Sequence, residues 1–300
     1  MSALAIEGGG VSVLSAIGWL CAAKHNGELD SLRAVAGSSS GAWLAALLCV
    51  GWTPGDIFLE LMRTTITGSP GDLESLILEH SYHSLSWARC VWLLARQHAL
   101  NSGDRFYEWV GGLIKQRTGS PNTTFLEAVR KTGISCIIPA TCFSRRKMVA
   151  FSDTVTPDVP LRSAVRASCA YPLFMLPAII DGFYYYDAGI TCNYPVRLVR
   201  ELHPSLSVTG LRYDPPDGLL SSPPPRTLTD TVVGLLRICI QRVTYLESEL
   251  CGSDSVRTVF LPTPVATGVV PSRNITTSDI RSASNAGYRS YCARSSSKND

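Results

Sequence analysis

The chain has 300 residues, 45% of them hydrophobic and only 17% charged, with a formal net charge of +3 at pH 7. That balance excludes a disordered chain or a highly charged scaffold, and so small a cationic excess gives no reason to expect nucleic acid as a partner. A core can form without staples at this length, and the mean hydropathy of +0.13 invites a membrane reading that no run of 18 or more apolar residues supports.

Residues 3–7 predict a short apolar strand that runs straight into Gly8-Gly9-Gly10. With Glu7 in this stretch and no cationic start, the N-terminus does not have the pattern of a secretory leader. Val11 to about Lys24 predicts an apolar helix, Leu32–Ala36 a second strand, and Ala42–Val50 a second helix stopped by Gly51. Thr53-Pro54 opens a third helix, with Thr as N-cap and Pro at the first helical position. Strand, helix, strand, helix is the signature of a parallel sheet with helical crossovers.

Residues 66–120 differ in character and hold three of the six tryptophans and three of the five histidines. Leu85–Leu100 can be drawn as a helix with Trp87, Val91, Leu94 and Ala95 on one face. The Trp-containing segment 85–109 is expected either to cover an acyl channel or touch a lipid surface, or simply to be buried. Thr124 and Glu127 form a capping box. Strands are expected at Ile134–Cys142 and Lys147–Ser152, and a helix at Leu161–Cys169. A strand or hairpin follows within Ala178–Tyr186, with a turn at Asp181-Gly182. The remaining elements are a strand at Leu206–Leu211, a Pro-rich connector at Ser221–Pro225, a long amphipathic helix at Thr229–Leu250, a strand at Val256–Leu261 and a final helix at Thr277–Ala293 capped by Thr277 or Ser278. One domain over 1–293 and a disordered tail over 294–300 are expected. The ten cysteines contain no CxxC pair. They read as reduced, partly buried thiols in a cytosolic setting, which leaves the sequons at Asn122 and Asn274 without weight.

Two glycine-rich turns carry chemistry. Gly37-Ser38-Ser39-Ser40-Gly41 fits G-x-S-x-G centred on Ser39, between an apolar strand and an apolar helix. In that context the glycines permit a sharp turn that lifts one hydroxyl out, beside the free N–H groups of a helix N-terminus. A flexible Ser/Gly loop or a phosphate cradle are the alternatives. Gly8-Gly9-Gly10 can converge backbone N–H groups on an oxyanion or a phosphate, or be a plain βα turn. It lacks the third glycine of a dinucleotide fingerprint, and no P-loop lysine is present.

The base is less obvious. Among His25, His80, His83, His98 and His203, only His203 follows the best acidic candidates, and nothing marks it as catalytic. Asp187 ends the aromatic strand Phe183–Tyr186 and precedes Ala188-Gly189, a place from which site residues of sheet enzymes project. Taken alone it is equally an Asx turn.

Glu7-Gly8-Gly9-Gly10, the Gly37–Gly41 elbow and Asp187-Ala188-Gly189 together resemble the patatin-like phospholipases in order and spacing. Ala167-Ser168-Cys169-Ala170-Tyr171-Pro172 resembles that family's Ala-Ser-x-Ala-x-Pro stretch, and the likeness extends over about residues 3–293. The resemblance implies a three-layer α/β/α sandwich with a mostly parallel sheet, and a Ser–Asp dyad acting on acyl esters of lipids. It implies Ser39 as nucleophile, Asp187 as general base, Gly8, Gly9 and Gly10 as the oxyanion hole, and Gly37 and Gly41 as elbow glycines, with no metal or other cofactor. The chain departs from the family where a basic residue and a glycine usually follow the glycine run, here Ser12 and Val13, and at Ala188, where the family has Gly. Both bear on backbone geometry, since Ala tolerates positive φ less well than Gly. The expected partner is a phospholipid or other acyl-ester lipid, met by transient contact with a membrane surface or lipid droplet from the cytoplasm. A soluble carboxylesterase or thioesterase on the same dyad, or a catalytically silent lipid-binding homologue, remain open.

Overall fold

A computed structural model describes residues 1–66, 87–213, 228–250, 256–263 and 275–296. His80, His83, the Ser221–Pro225 connector and Asn274 lie outside the described residues, as does the side chain of Trp87. Four strands, β1 (Ala3–Ile6), β2 (Ala34–Gly37), β9 (Val208–Tyr213) and β10 (Val256–Leu261), lie parallel in the order β10-β9-β1-β2. β4 (Ser135–Cys142) continues the parallel sheet beside β2, and β5 (Lys147–Ser152) pairs antiparallel with β4. The hairpin of β7 (Ala178–Ile180) and β8 (Phe183–Tyr186) completes eight strands among the described residues. Its turn holds Asp181 and Gly182 at positive φ, 50° and 78°, as a tight primed turn requires. A separate parallel pair joins β3 (Ala99–Asn101) to β6 (Leu173–Met175).

Strands buried on both faces must be apolar on both faces, and the sequence supplies this with unequal side chains. Leu4, Ile6, Val35 and Ile138 face a large core shared with α1 (Val13–His25), α2 (Ser40–Cys49) and α3 (Pro54–Ile66). Ala3, Ala5, Ala34 and Ala36 face a smaller core against the helix Val196–Leu202. The result is the three-layer α/β/α sandwich with a mostly parallel sheet. α1 is apolar nearly all round because it is covered by the sheet on one side and by the last helix, Thr277–Ser296, on the other. The two helices touch backbone to backbone: a Cβ on Gly18 would come 1.8 Å from the Ser284 carbonyl oxygen, and one on Gly287 would come 1.9 Å from that of Ser15.

The sheet topology creates the site. β2 pairs with β4 only as far as Ala36↔Ile137, while β8 pairs with it at Tyr186↔Thr141 and Tyr185↔Cys142. β5 occupies the opposite edge of β4 over the same stretch. β2 and β8 therefore share one edge of β4 and run toward each other along it. Their ends, Gly37 and Tyr186, lead directly into Ser39 and Asp187.

Four local expectations are adjusted. Ala99–Asn101 leaves the helix drawn over 85–100, which ends at Gln97, and pairs as β3. The first helix is preceded by a 3₁₀ turn at Gly10–Ser12. The final helix is capped one residue early by Thr276, whose Oγ1 accepts the Asp279 N–H at 3.2 Å, and it runs to Ser296. A helix at Asp104–Thr118 had no counterpart in the sequence reading, although Phe106, Val110, Leu113 and Ile114 carry the spacing of one buried face. The Thr124–Glu127 capping box forms with both reciprocal bonds.

Candidate active site

Ser39 sits at φ 50° and ψ −123°, a conformation that non-glycine residues rarely hold without support. The support is specific. A Cβ on Gly37 would lie 2.0 Å from the Gly41 carbonyl oxygen, and one on Gly41 would lie 2.6 Å from that of Ile6, so both elbow positions need glycine. The Ser39 N–H donates to Ser168 Oγ at 3.0 Å, and Cys169 Sγ donates to the Ser39 carbonyl at 3.0 Å. Ser38 Oγ donates to the Cys192 carbonyl at 2.6 Å. The segment Ala167–Pro172 thus holds the elbow, and it also holds the acid, because the Asp187 N–H donates to the Ala170 carbonyl at 2.9 Å.

Asp187 is only 2% exposed. Its Oδ1 accepts the Gly189 N–H at 2.8 Å, and its Oδ2 has no hydrogen-bond partner among the described residues. Burial raises its pKa to about 6; the Gly189 N–H and the nearby Ser39 hydroxyl oppose that rise. The Ser39 hydroxyl is close enough to favour the carboxylate, although Asp187 Oδ2 accepts no formed hydrogen bond from it. Ala188 does not take positive φ; it opens a 3₁₀ turn, Ala188–Ile190. The departure from glycine there is free of the backbone strain expected of it. The glycine that matters is Gly189, where a Cβ would stand 3.0 Å from Asp187 Oδ1.

The three glycines of the first turn divide their tasks. Gly8 donates its N–H to the Asn193 carbonyl at 3.0 Å, and Gly9 donates to Ser40 Oγ at 3.3 Å. Gly10, at φ 56°, borders the cavity. Among the described residues its N–H has no hydrogen-bond partner, and the same holds for the N–H of Ser40, first in the helix that follows Ser39. The triple convergence expected of Gly8, Gly9 and Gly10 is therefore not formed, because the fold itself uses the first two donors.

Ser39 and Asp187 open into one cavity of about 110 Å³, walled by Trp43, Leu61, Phe106, Trp109, Tyr171 and Phe174. Val13 lines it too, so its replacement of glycine adds apolar wall. Trp43 and Trp109 stack with ring centroids 5.4 Å apart. Trp109 comes from the Trp-containing stretch, whereas Trp92 is 55% exposed on the surface. Burial pushes the Tyr171 phenol up to about 12, keeping it neutral. His203 is elsewhere: its Nε2 lies 3.1 Å from Ser135 Oγ, at the start of β4 and the opposite end of the sheet. No group of three or more metal-ligating side chains occurs among the described residues. Nor does any helix among them have the length and apolarity to cross a membrane.

A strand–elbow–helix serine close to a buried carboxylate at one apolar cavity, on a three-layer sheet, defines the class. The patatin-like phospholipase family model matches residues 4–200, and the chain belongs to that family. It is 26% identical over 196 residues to the uncharacterized protein R571 of Acanthamoeba polyphaga mimivirus, 65% of this chain and 60% of that one. It is 23% identical over 200 residues to the probable lipid hydrolase 463L of Invertebrate iridescent virus 6, 67% of this chain and 63% of that one. The matches thus span less than two thirds of both relatives. Among solved structures, VipD from Legionella pneumophila shares the fold at TM-score 0.53 and 18% identity, covering 97% of this chain and 66% of VipD.

Proposed function

We propose that this chain is a lipid acyl hydrolase of phospholipase A type, with Ser39 as nucleophile and Asp187 as its base. The observation that carries the reading is the pairing of a Ser39 backbone held at positive φ with a buried carboxylate whose Oδ2 is unpartnered, in one apolar cavity. As Ser39 Oγ attacks an ester carbonyl, its proton passes to Asp187. The oxyanion is met by the N–H groups of Gly10 and Ser40, each such donor contributing about 3–4 kcal/mol in comparable sites. Collapse expels the alcohol, which takes the proton from Asp187, and leaves the acyl group on Ser39. Water then gives a proton to Asp187 and its hydroxide to the acyl carbon, and Ser39 recovers its proton as the fatty acid leaves. A carboxylate with a pKa near 6 is a better base than an ordinary one, because its affinity for the proton lies closer to the operating pH. The lipid is met at a membrane surface during brief contact.

A fluorophosphonate probe should label wild-type protein once, at Ser39, and phosphatidylcholine vesicles should release fatty acid. Turnover of short soluble esters without release from vesicles would instead assign a soluble esterase. Absence of both labelling and turnover would assign a silent lipid-binding protein.

A further inference from the structure

The groups given roles above come from the elbow at 37–41, the glycine turn at 8–10 and the turn after Asp187. One short segment, Cys192–Tyr194, touches all three. The Cys192 carbonyl accepts Ser38 Oγ at 2.6 Å, and the Asn193 carbonyl accepts the Gly8 N–H at 3.0 Å. The Asn193 side chain, 4% exposed, places Nδ2 3.2 Å from the Gly8 carbonyl oxygen and 3.3 Å from Glu7 Oε1. On the third side, the Cys192 N–H donates to the Ala188 carbonyl at 2.7 Å, tying the segment to the turn that holds Asp187.

This segment is in turn gripped by the helix Leu228–Leu250, which lies beyond residues 4–200 matched by the family model. Asn193 Nδ2 donates to Thr244 Oγ1 at 2.8 Å, its shortest contact, while the Thr244 hydroxyl donates to the Ile240 carbonyl at 2.9 Å. The Tyr194 N–H donates to Glu247 Oε2 at 2.8 Å. Residues 244 and 247 stand three apart and so share a helix face. The Thr244 bond orients the Asn193 amide, and the Glu247 bond holds the backbone that follows it. That orientation sets Oδ1 against the two glycines: a Cβ on Gly8 would lie 2.5 Å from it, and one on Gly189 would lie 3.1 Å from it.

We propose that the helix Leu228–Leu250 sets the relative position of the glycine turn, the nucleophile elbow and the acid, with Thr244 and Glu247 as positioning residues acting through Asn193 and Tyr194. Neither residue lines the cavity, so neither is expected to contact the acyl ester. The proposal rests on the lipid-hydrolase reading for its kinetic consequence and not for its structural one. Loss of the Thr244 hydroxyl removes the shortest of the three contacts that hold the amide and leaves the Gly8–Gly10 backbone less firmly held. Small misplacements of this kind lower turnover more than binding.

The test uses the whole chain with Thr244→Val, which keeps the shape, Thr244→Ala as a second variant in case the first does not fold, and Thr244→Ser, which keeps the hydroxyl. Turnover on phosphatidylcholine vesicles and amide hydrogen exchange at Gly8 and Gly9 are measured on folded protein. Thr244→Val should lower kcat about tenfold with KM changed less than about twofold and speed exchange at both glycines, and Thr244→Ser should restore both. A lower melting temperature with kcat and glycine exchange unchanged would overturn the proposal. If wild-type protein neither labels with fluorophosphonate nor turns over lipid, the hydrolase reading fails. The exchange measurement still decides the positioning role in that case: faster exchange in Thr244→Val supports it, and unchanged exchange refutes it.

Discussion

The sheet carries a serine beside an aspartate at each of its ends, and the two pairs are built differently. At the start of β4, Ser135 Oγ donates to Asp153 Oδ1 and lies 3.1 Å from His203 Nε2. That serine sits in a regularly paired strand, opposite Ala34, and its N–H is bonded to the Arg33 carbonyl. The three side chains are joined through the Ser135 hydroxyl, and the cavity does not reach them. At the other end, Ser39 is turned out of its strand at φ 50° and faces a carboxylate oxygen with no partner. A serine near a carboxylate, even with a histidine added, is thus ordinary polar packing. What distinguishes Ser39 is backbone held in an unfavourable conformation, a helix N-terminus beside it, and an acid left buried and unsatisfied.

The contrast can be broken most directly by exchanging the serines for alanine. Ser39→Ala should lower fatty-acid release at least about a thousandfold, and Ser135→Ala should leave it within about twofold; similar losses from both would remove the distinction. Next in size is Gly37→Ala. Its Cβ would meet the Gly41 carbonyl oxygen at 2.0 Å, so the elbow cannot close, and urea unfolding should show a loss on the order of 3–5 kcal/mol.

Asp187→Asn sharpens the comparison from the acid's side. The carboxyl has an ordinary pKa of 3.8 and is raised by burial to about 6. Between those values the folded protein binds the extra proton and the unfolded chain does not, so stability falls as pH rises from about 4 to 6 and stays lower above. Asp187→Asn should therefore recover up to about 3 kcal/mol at pH 8 and almost nothing at pH 4, measured by urea titration at both. Wild-type kcat/KM should rise through about pH 6 and then level, because the proposed role of Asp187 as base requires it ionised. A gain at pH 8 with activity lost would show that the unsatisfied acid is kept at the expense of stability. The smallest effect belongs to Gly112→Ala, where nothing stands within 4 Å of the added Cβ. On an exposed helical face it should raise stability by roughly 0.5–1 kcal/mol, a control for glycine replacement as such.

The alternation of short apolar strands and helices made the sheet legible, because periodicity and turn residues are local properties. Ser39 was legible for the same reason: glycines, strand and helix adjoin it in sequence. Asp187 became legible only in combination with the other motifs, since Asp-Ala-Gly alone is a common turn. The shared duties of Gly8, Gly9 and Gly10 were not, because the partners that occupy the first two, Asn193 and Ser40, are fixed by tertiary packing. Ala188 drew suspicion as a residue type, and its actual φ removes the objection. The helix that brings Phe106 and Trp109 to the cavity was missed, although the apolar spacing of 106, 110, 113 and 114 was there to find and Trp109 lies in the segment expected to cover an acyl channel. Asn193 and Thr244 carry no signal in one sequence, for their meaning lies in contacts between distant segments.

The head-on approach of β2 and β8 along β4 has a consequence for how the molecule comes into being. The strand, turn and helix of the elbow come from the first 50 residues, but the bond that joins Ser38 to Cys192 spans 154 positions of chain. Closing so long a loop is entropically unfavourable until the rest of the sheet rewards it. Register on a single strand, β4, then decides whether the two halves arrive in step, since a slip of one residue would turn every side chain of the slipped strand to the wrong face. The meeting of Ser39 with Asp187 therefore depends on long-range pairing, and a chain in which only the first strands and helices have formed holds the serine without the carboxylate.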